Sequence, residues 1–217
     1  MASAAPAAPH SLMGEANVFF DRPLGKGSRL LVLAAALLLI PTFLFPLWNM
    51  TLFSNQFPDG LDLHIYSYTL AGGHTAARDD LREINTLNHY IGMRPLLESD
   101  FSEFSWLPLM TGIFFILALR VVVIGKMASL VDTAVLFLYG SLFSAWSFYH
   151  RMYQYGHNLD PEAPVKVPPF MPPLFGSERM ANFQVYSYPG PATYLMIGFF
   201  VLLAVTIVLA WRQAEAQ

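Results

Sequence analysis

Leu30-Leu31-Val32-Leu33-Ala34-Ala35-Ala36-Leu37-Leu38-Leu39-Ile40-Pro41-Thr42-Phe43-Leu44-Phe45-Pro46-Leu47 is an uncharged apolar run. Whether it crosses a bilayer or fills a soluble core decides the fold. A hydrocarbon core of about 30 Å needs about 20 apolar residues in helical conformation. Three further runs of that kind follow, Trp106 to Ile124, Ser129 to Tyr149 and Thr193 to Trp211. The 217 residues are 55% hydrophobic and only 12% charged, outside the range of ordinary soluble domains. Four spans in a bilayer are the expectation.

The spans partition the chain into an N-terminal arm (1–29), span one (30–47), a long loop (48–105), span two (106–124), a tight turn (125–128), span three (129–149), a proline-rich loop (150–192), span four (193–211) and a short tail (212–217). A cleaved signal peptide is the competing reading of the first run. It is disfavoured because the charged flank comes late and no small-residue cleavage site follows Trp48. The arm is expected to be disordered or to lie on the surface. Pro41 and Pro46 should kink or unwind the far end of span one, where neighbouring segments or water satisfy the freed carbonyls. Trp48 follows as an interfacial anchor.

Orientation comes from basic residues beside the spans. Arg22, Lys26 and Arg29 precede span one, Lys126 sits in the turn and Arg212 follows span four, so both termini are expected in the cytoplasm. The 49–105 interval carries Asp59, Asp62, Asp79, Asp80, Glu83, Glu98, Asp100 and Glu103 against three arginines, as suits an outer segment. The expected fold class is therefore an all-α membrane protein of four transmembrane helices, with a small mixed α/β extracytoplasmic cap formed by the first and third loops. Arg120 and Asp132 flank the tight turn symmetrically. A structural ion pair near the inner interface is their expected role, and a proton or ion pathway the rival, weakened by the lack of further intramembrane acids.

In the first loop, Pro58-Asp59-Gly60 signals a turn ahead of a strand from Leu61 to Thr69, with Thr51 to Phe53 pairing across it. Thr75 is the expected N-cap of a short helix ending near Tyr90 and stopped by Gly92. The second loop carries Pro161, Pro164, Pro168, Pro169, Pro172 and Pro173, which forbid a helix there. It should wrap in extended form over the strand and short helix, with Phe183 to Tyr188 as an edge strand.

The candidate chemistry sits in two polar stretches, Ile84-Asn85-Thr86-Leu87-Asn88-His89-Tyr90-Ile91-Gly92-Met93 and Tyr155-Gly156-His157-Asn158-Leu159-Asp160-Pro161. His89 and Met93, four residues apart, would share one face near the end of the short helix or meet at its unwinding turn, and His157 would approach from the facing loop. One thioether and two imidazoles suit a soft ion such as copper better than calcium or magnesium. Asn85, Asn88, Asn158 and Asp160 would orient the rings. The plainer reading is that both histidines clasp the two loops by hydrogen bonding. His150 is expected at the interface, His64 on a strand, His74 in a flexible turn as a weaker extra ligand candidate, and Met171 and Met180 in packing roles, with a thioether ligand from either as the alternative.

The absence of cysteine excludes disulfides, thiolate metal sites and iron–sulfur clusters. HExxH, a nucleophile elbow, a phosphate loop and a CxxCH haem motif are also absent from the sequence, so an enzyme is disfavoured. The net charge of −3 and the lack of a basic patch disfavour nucleic acid as a partner.

The two histidine motifs, with Lys166-Val167-Pro168 and Pro172-Pro173-Leu174-Phe175-Gly176-Ser177, resemble a little-characterised bacterial membrane family associated with gene neighbourhoods for nitrous oxide reductase and its copper-delivery proteins. The resemblance runs from about Trp48 to Phe183. It implies an inner-membrane accessory protein handling copper for, or otherwise supporting, a periplasmic copper enzyme, with a membrane or periplasmic protein as partner. The rival is a structural subunit of a larger respiratory or photosynthetic membrane complex. A small transporter is disfavoured by the missing internal repeat.

Overall fold

The computed structural model describes residues 12–75, 78–180 and 183–215. Four of its helices are long and apolar enough to cross a membrane. These are α2 (Lys26–Leu38), which continues through a single 3-10 turn at Pro41–Phe43, α4 (Glu103–Ile124), α5 (Met127–His157) and α6 (Pro191–Glu215). Two shorter helices complete the set, α1 (Leu12–Asp21) and α3 (Asp80–Tyr90). α2 and α5 each pack against both α4 and α6, closing a four-helix bundle.

Small residues let the helix backbones approach where no hydrophobic force distinguishes protein from lipid. Ala35, Ala36, Ala118 and Ala134 are buried at these contacts. The Phe137 ring fills the middle, edge-on to Phe114 at 5.1 Å and to Phe199 at 4.8 Å. The buried hydroxyls of Thr111, Thr133 and Thr206 donate to carbonyls one turn back in their own helices, which removes their polarity from the core.

The basic residues beside the spans gather at one end of the bundle. There the second half of the arm is helical: α1 packs on α5, and its Phe19 ring meets Trp211 of α6 at 5.8 Å. Pro23 bridges to Lys126, and Lys126 also pairs with Asp21. Arg29 has a more specific task than marking a flank. Its guanidinium donates to the carbonyls of Leu24, Val122 and Val123, capping the C-terminus of α4 just before Gly125 turns the chain at φ +64°. The expected Arg120–Asp132 pair does not form. Both side chains are exposed on the bundle surface, and no ion pair joins them among the described residues.

The opposite end carries the cap, and here the all-α expectation is corrected. A five-stranded antiparallel sheet stands on the bundle in the order β3-β2-β1-β7-β6. Its strands are β1 (Trp48–Phe53), β2 (Leu61–Ile65), β3 (Leu70–Gly72), β6 (Gly176–Met180) and β7 (Phe183–Pro189). A two-residue ribbon, β4 (His74–Thr75) with β5 (Arg78–Asp79), leads into α3.

β7 is an interior strand rather than the edge expected for it, because β1 pairs with it from Trp48↔Pro189 to Phe53↔Gln184 while β6 covers its other side. Strand pairing therefore joins the two loops. The reason lies at the membrane junction. Pro41 and Pro46 end the helix of span one, and the carbonyls of Pro46 and Leu47 accept from Ala192 and Gly190 at 3.1 and 2.7 Å, stitching the exit of span one to the entry of span four. With their bases tied side by side, β1 and β7 continue upward as neighbours.

One face of the sheet is apolar, with Met50, Leu61, Leu63, Leu70 and Val185 buried beneath α3. The N-cap of α3 is Asp79 and not Thr75: its carboxylate accepts from Leu81 N and Arg82 N at 3.1 and 3.3 Å. Asp80, 2% exposed, accepts from Arg78 Nε at 2.6 Å and Asp62 N at 2.9 Å, locking α3 to β2.

Candidate functional site

The two histidine-bearing stretches meet at the cap. α3 ends at Tyr90, and Gly92 takes φ +79°, a left-handed conformation that glycine adopts without penalty. This bend returns the chain so that Met93 N donates to the Asn88 carbonyl at 2.8 Å. The second stretch then docks by backbone bonds: Asp160 N to Gly92 O at 2.8 Å and Val165 N to Tyr90 O at 2.9 Å. Gly92 also lacks room for a side chain, since a Cβ there would stand 2.8 Å from the Asp160 carbonyl oxygen.

An open cleft of about 610 Å³ lies along this junction. His89, Met93, Asn158 and Asp160 line it, together with Gly92, Arg94, Pro95 and Leu159. Met93 lies beyond the helix end, so of the two arrangements expected, one helix face or the unwinding turn, it is the turn at Gly92 that sets His89 and Met93 on one cleft. His89 is exposed, and Met93 is half-buried.

His157 is not among the cleft residues. α5 runs on past the expected end of span three, so His157 occupies its last turn instead of a loop. Its ring stacks on Tyr153 with centroids 3.8 Å apart, and Nδ1 donates to the Tyr153 carbonyl at 3.0 Å. Because a carbonyl can only accept, Nδ1 is the donor in this bond, and Nε2 is the ring nitrogen not engaged by it.

The expected orienting residues divide. The Asn85 carboxamide is consumed by a backbone clamp, accepting from Leu96 N at 2.7 Å and donating to Leu96 O at 3.3 Å. Asp160 Oδ1 accepts from Glu162 N at 2.8 Å, an Asx turn that keeps the carboxylate beside the cleft. Asn158 lines the cleft, while Asn88 is buried and faces inward. Among the described residues no three His, Cys, Asp or Glu side chains cluster as a metal site would require.

No match emerges from comparison with protein-family models, curated proteins or solved structures. The site must be read from its own chemistry.

Two further histidines, His64 and His150, have structural partners. His64 points to the outer face of the sheet, with Nδ1 2.8 Å from Asn49 Oδ1 of the paired strand. His150 stacks on Trp146 at 5.4 Å and meets the Gln154 side chain at 2.9 Å. The side chain of His74 lies outside the described residues. One interaction had no sequence signal because its partners are far apart in the chain: Glu103 accepts from Arg151 at 2.8 Å and from Ser147 at 2.7 Å, tying the start of α4 to the end of α5 beneath the cap. Arg151 also lies over the Phe101 ring at 5.2 Å.

Proposed function

We propose that this chain is an integral-membrane accessory protein whose cap faces the extracytoplasmic side and takes up copper(I) at the His89/Met93 cleft. The observation that carries the reading is that an imidazole and a thioether line one open cleft with a carboxylate, Asp160, beside them. Imidazole and thioether are the side chains a cysteine-free protein has for a soft ion. His157, next in the chain to the cleft residue Asn158, is the third proposed ligand, reaching the ion by a rotation of its ring off Tyr153.

The gathering of Arg22, Lys26, Arg29, Lys126 and Arg212 at the bundle end opposite the cap supports this sidedness. The resemblance of the two motifs to the family associated with nitrous oxide reductase names the class of client, a copper enzyme on the same side of a bacterial inner membrane. Purified protein in lipid nanodiscs, loaded anaerobically with Cu(I) and desalted, should retain about one ion, and the His89→Ala/Met93→Leu variant should retain none while melting at the wild-type temperature. Equal retention by the two proteins would end this reading.

A second reading has its own support. Arg120 and Asp132 are exposed on the bundle surface within apolar helices, and α5 presents Tyr139, Trp146 and Tyr149 outward. Unpaired charges at that depth are costly in lipid, and a partner helix would satisfy them. This favours a subunit of a larger membrane complex. Purification in mild detergent from the native membrane tests it: Arg120→Leu/Asp132→Leu should release a co-purifying partner, and a wild-type protein that is always monomeric contradicts it.

A further inference from the structure

α5 is distinctly less apolar than α4 and α6, and part of the difference lies on its outward face. There Asp132, Leu136, Tyr139, Phe143, Trp146 and His150 are all exposed, and they recur at alternating spacings of four and three residues. A repeat of seven keeps them in one line along the helix, as in the seam of a supercoiled helix pair. Tyr139 follows closely on Phe137, whose ring fills the middle of the bundle, and is 68% exposed. Its phenol therefore points outward at a depth where lipid offers no hydrogen bond.

The adjoining face of α4 belongs to the same surface. Trp106 meets Phe143 across the helix pair at 5.2 Å, and Phe114 meets Phe137 at 5.1 Å. Carried on towards the turn at Gly125, this antiparallel register brings Arg120 level with Asp132. Arg120 also follows Trp106 by fourteen residues, about four helical turns, so it projects from the side of α4 that borders the Phe143 seam. One cation and one anion thus share a surface at one depth, both exposed, and no ion pair joins them among the described residues.

We propose that this surface is the interface of a parallel homodimer, in which Arg120 of each copy pairs with Asp132 of the other. The proposal rests on the reading of the chain as a subunit of a larger membrane assembly and names a second copy as the partner. Two copies inserted in the same sense are related by a two-fold axis along the membrane normal, and rotation about that axis leaves every residue at its own depth. Charges pair across such an axis only if they lie level within one chain, as Arg120 and Asp132 do. A two-fold interface also needs a patch complementary to itself, and a patch bearing both signs meets that condition. Ions are costly in lipid, and reciprocal pairing satisfies all four at once. The plain alternative is that Arg120 reaches along its stem to the inner interface and the aromatic seam faces lipid.

Native mass spectrometry of the full chain, purified by itself in mild detergent, separates these. A dimer is expected from the wild-type protein. Arg120→Asp sets acid against acid twice and Asp132→Arg sets base against base twice, so each variant alone should dimerise about 100-fold more weakly or worse, because like charges facing across an interface oppose association. Co-expressed, the two variants should form a mixed dimer, since each then supplies the charge that the other lacks. The exchange within one chain, Arg120→Asp/Asp132→Arg, should dimerise like the wild type, which keeps the test decisive even where a singly substituted chain fails to fold. Absence of both the mixed and the exchanged dimer overturns the pairing, as does dimerisation of each single variant at wild-type strength. A wild-type chain that is monomeric alone but leaves native membranes with a different protein overturns the homodimer and keeps the subunit reading. One that is monomeric in both preparations overturns the two together.

Discussion

Gly156→Ala sets two well-understood effects against each other. In an exposed helix interior, replacing glycine by alanine stabilises by about 1 kcal/mol. Gly156 lies in the last turns of α5 and is buried, and the proline-rich loop crosses directly over it. A Cβ there would overlap the Phe170 carbonyl oxygen and stand 2.9 Å from both the Phe170 carbonyl carbon and Pro172 Cδ. The obstacle is backbone, which cannot rotate away. Overpacking of this kind is destabilising by about 1–3 kcal/mol. Displacing the loop also breaks the 3.0 Å bond from Phe170 N to Gly156 O, worth about 1 kcal/mol. The clash outweighs the helix gain, leaving the variant about 2 kcal/mol less stable locally. That corresponds to an about 30-fold larger population of the opened loop. Hydrogen exchange at the Phe170 amide, read by mass spectrometry in nanodiscs, measures it. The control is Gly112→Ala in α4, where an added Cβ meets nothing within 4 Å and stability should hold or rise. Unchanged Phe170 protection in Gly156→Ala, with a melting temperature raised like that of the control, would refute the packing argument.

Asp80→Ala should destabilise the cap by about 3 kcal/mol, because Arg78 and the Asp62 amide lose a buried acceptor, and Asp79→Ala, which removes the cap of α3, worth about 1 kcal/mol, should destabilise it less; denaturant unfolding followed by tryptophan fluorescence ranks the two. At the other end of the bundle, Arg29→Ala should remove about 1–2 kcal/mol by uncapping α4, and Lys126→Ala, whose pair with Asp21 is exposed, less than about 0.5 kcal/mol; thermal melts of both variants check the order. Gly92→Ala forces a left-handed residue at about 1–2 kcal/mol and drives a Cβ into Asp160, so exchange at the Asp160 and Val165 amides should accelerate together while the β1–β7 amides stay protected.

Four membrane-length helices were legible in the sequence because each span carries its own signal: an apolar run as long as a bilayer is thick needs no knowledge of its neighbours. The tight turn at Gly125, the strand at Leu61 and the stop at Gly92 were equally local. The meeting of the two histidine motifs followed from topology alone, once both loops were placed on one side.

What the tertiary structure decided is everything carried by pairs distant in the chain. The stitching of Leu47 to Gly190 makes β7 an interior strand and turns two loops into one sheet. A further stretch of α5 puts His157 in a helix turn and not in the lining of the cleft, although its sequence after Tyr149 is too polar to read as span. Met50, Met93, Met152 and Met180 are unremarkable one by one, and only the packing of α3 and α5 on the sheet lines a single cavity with them. Hydrophobic length is a property of a segment, whereas register, depth and shared cavities are properties of contacts, and contacts form only when the whole chain has closed on itself.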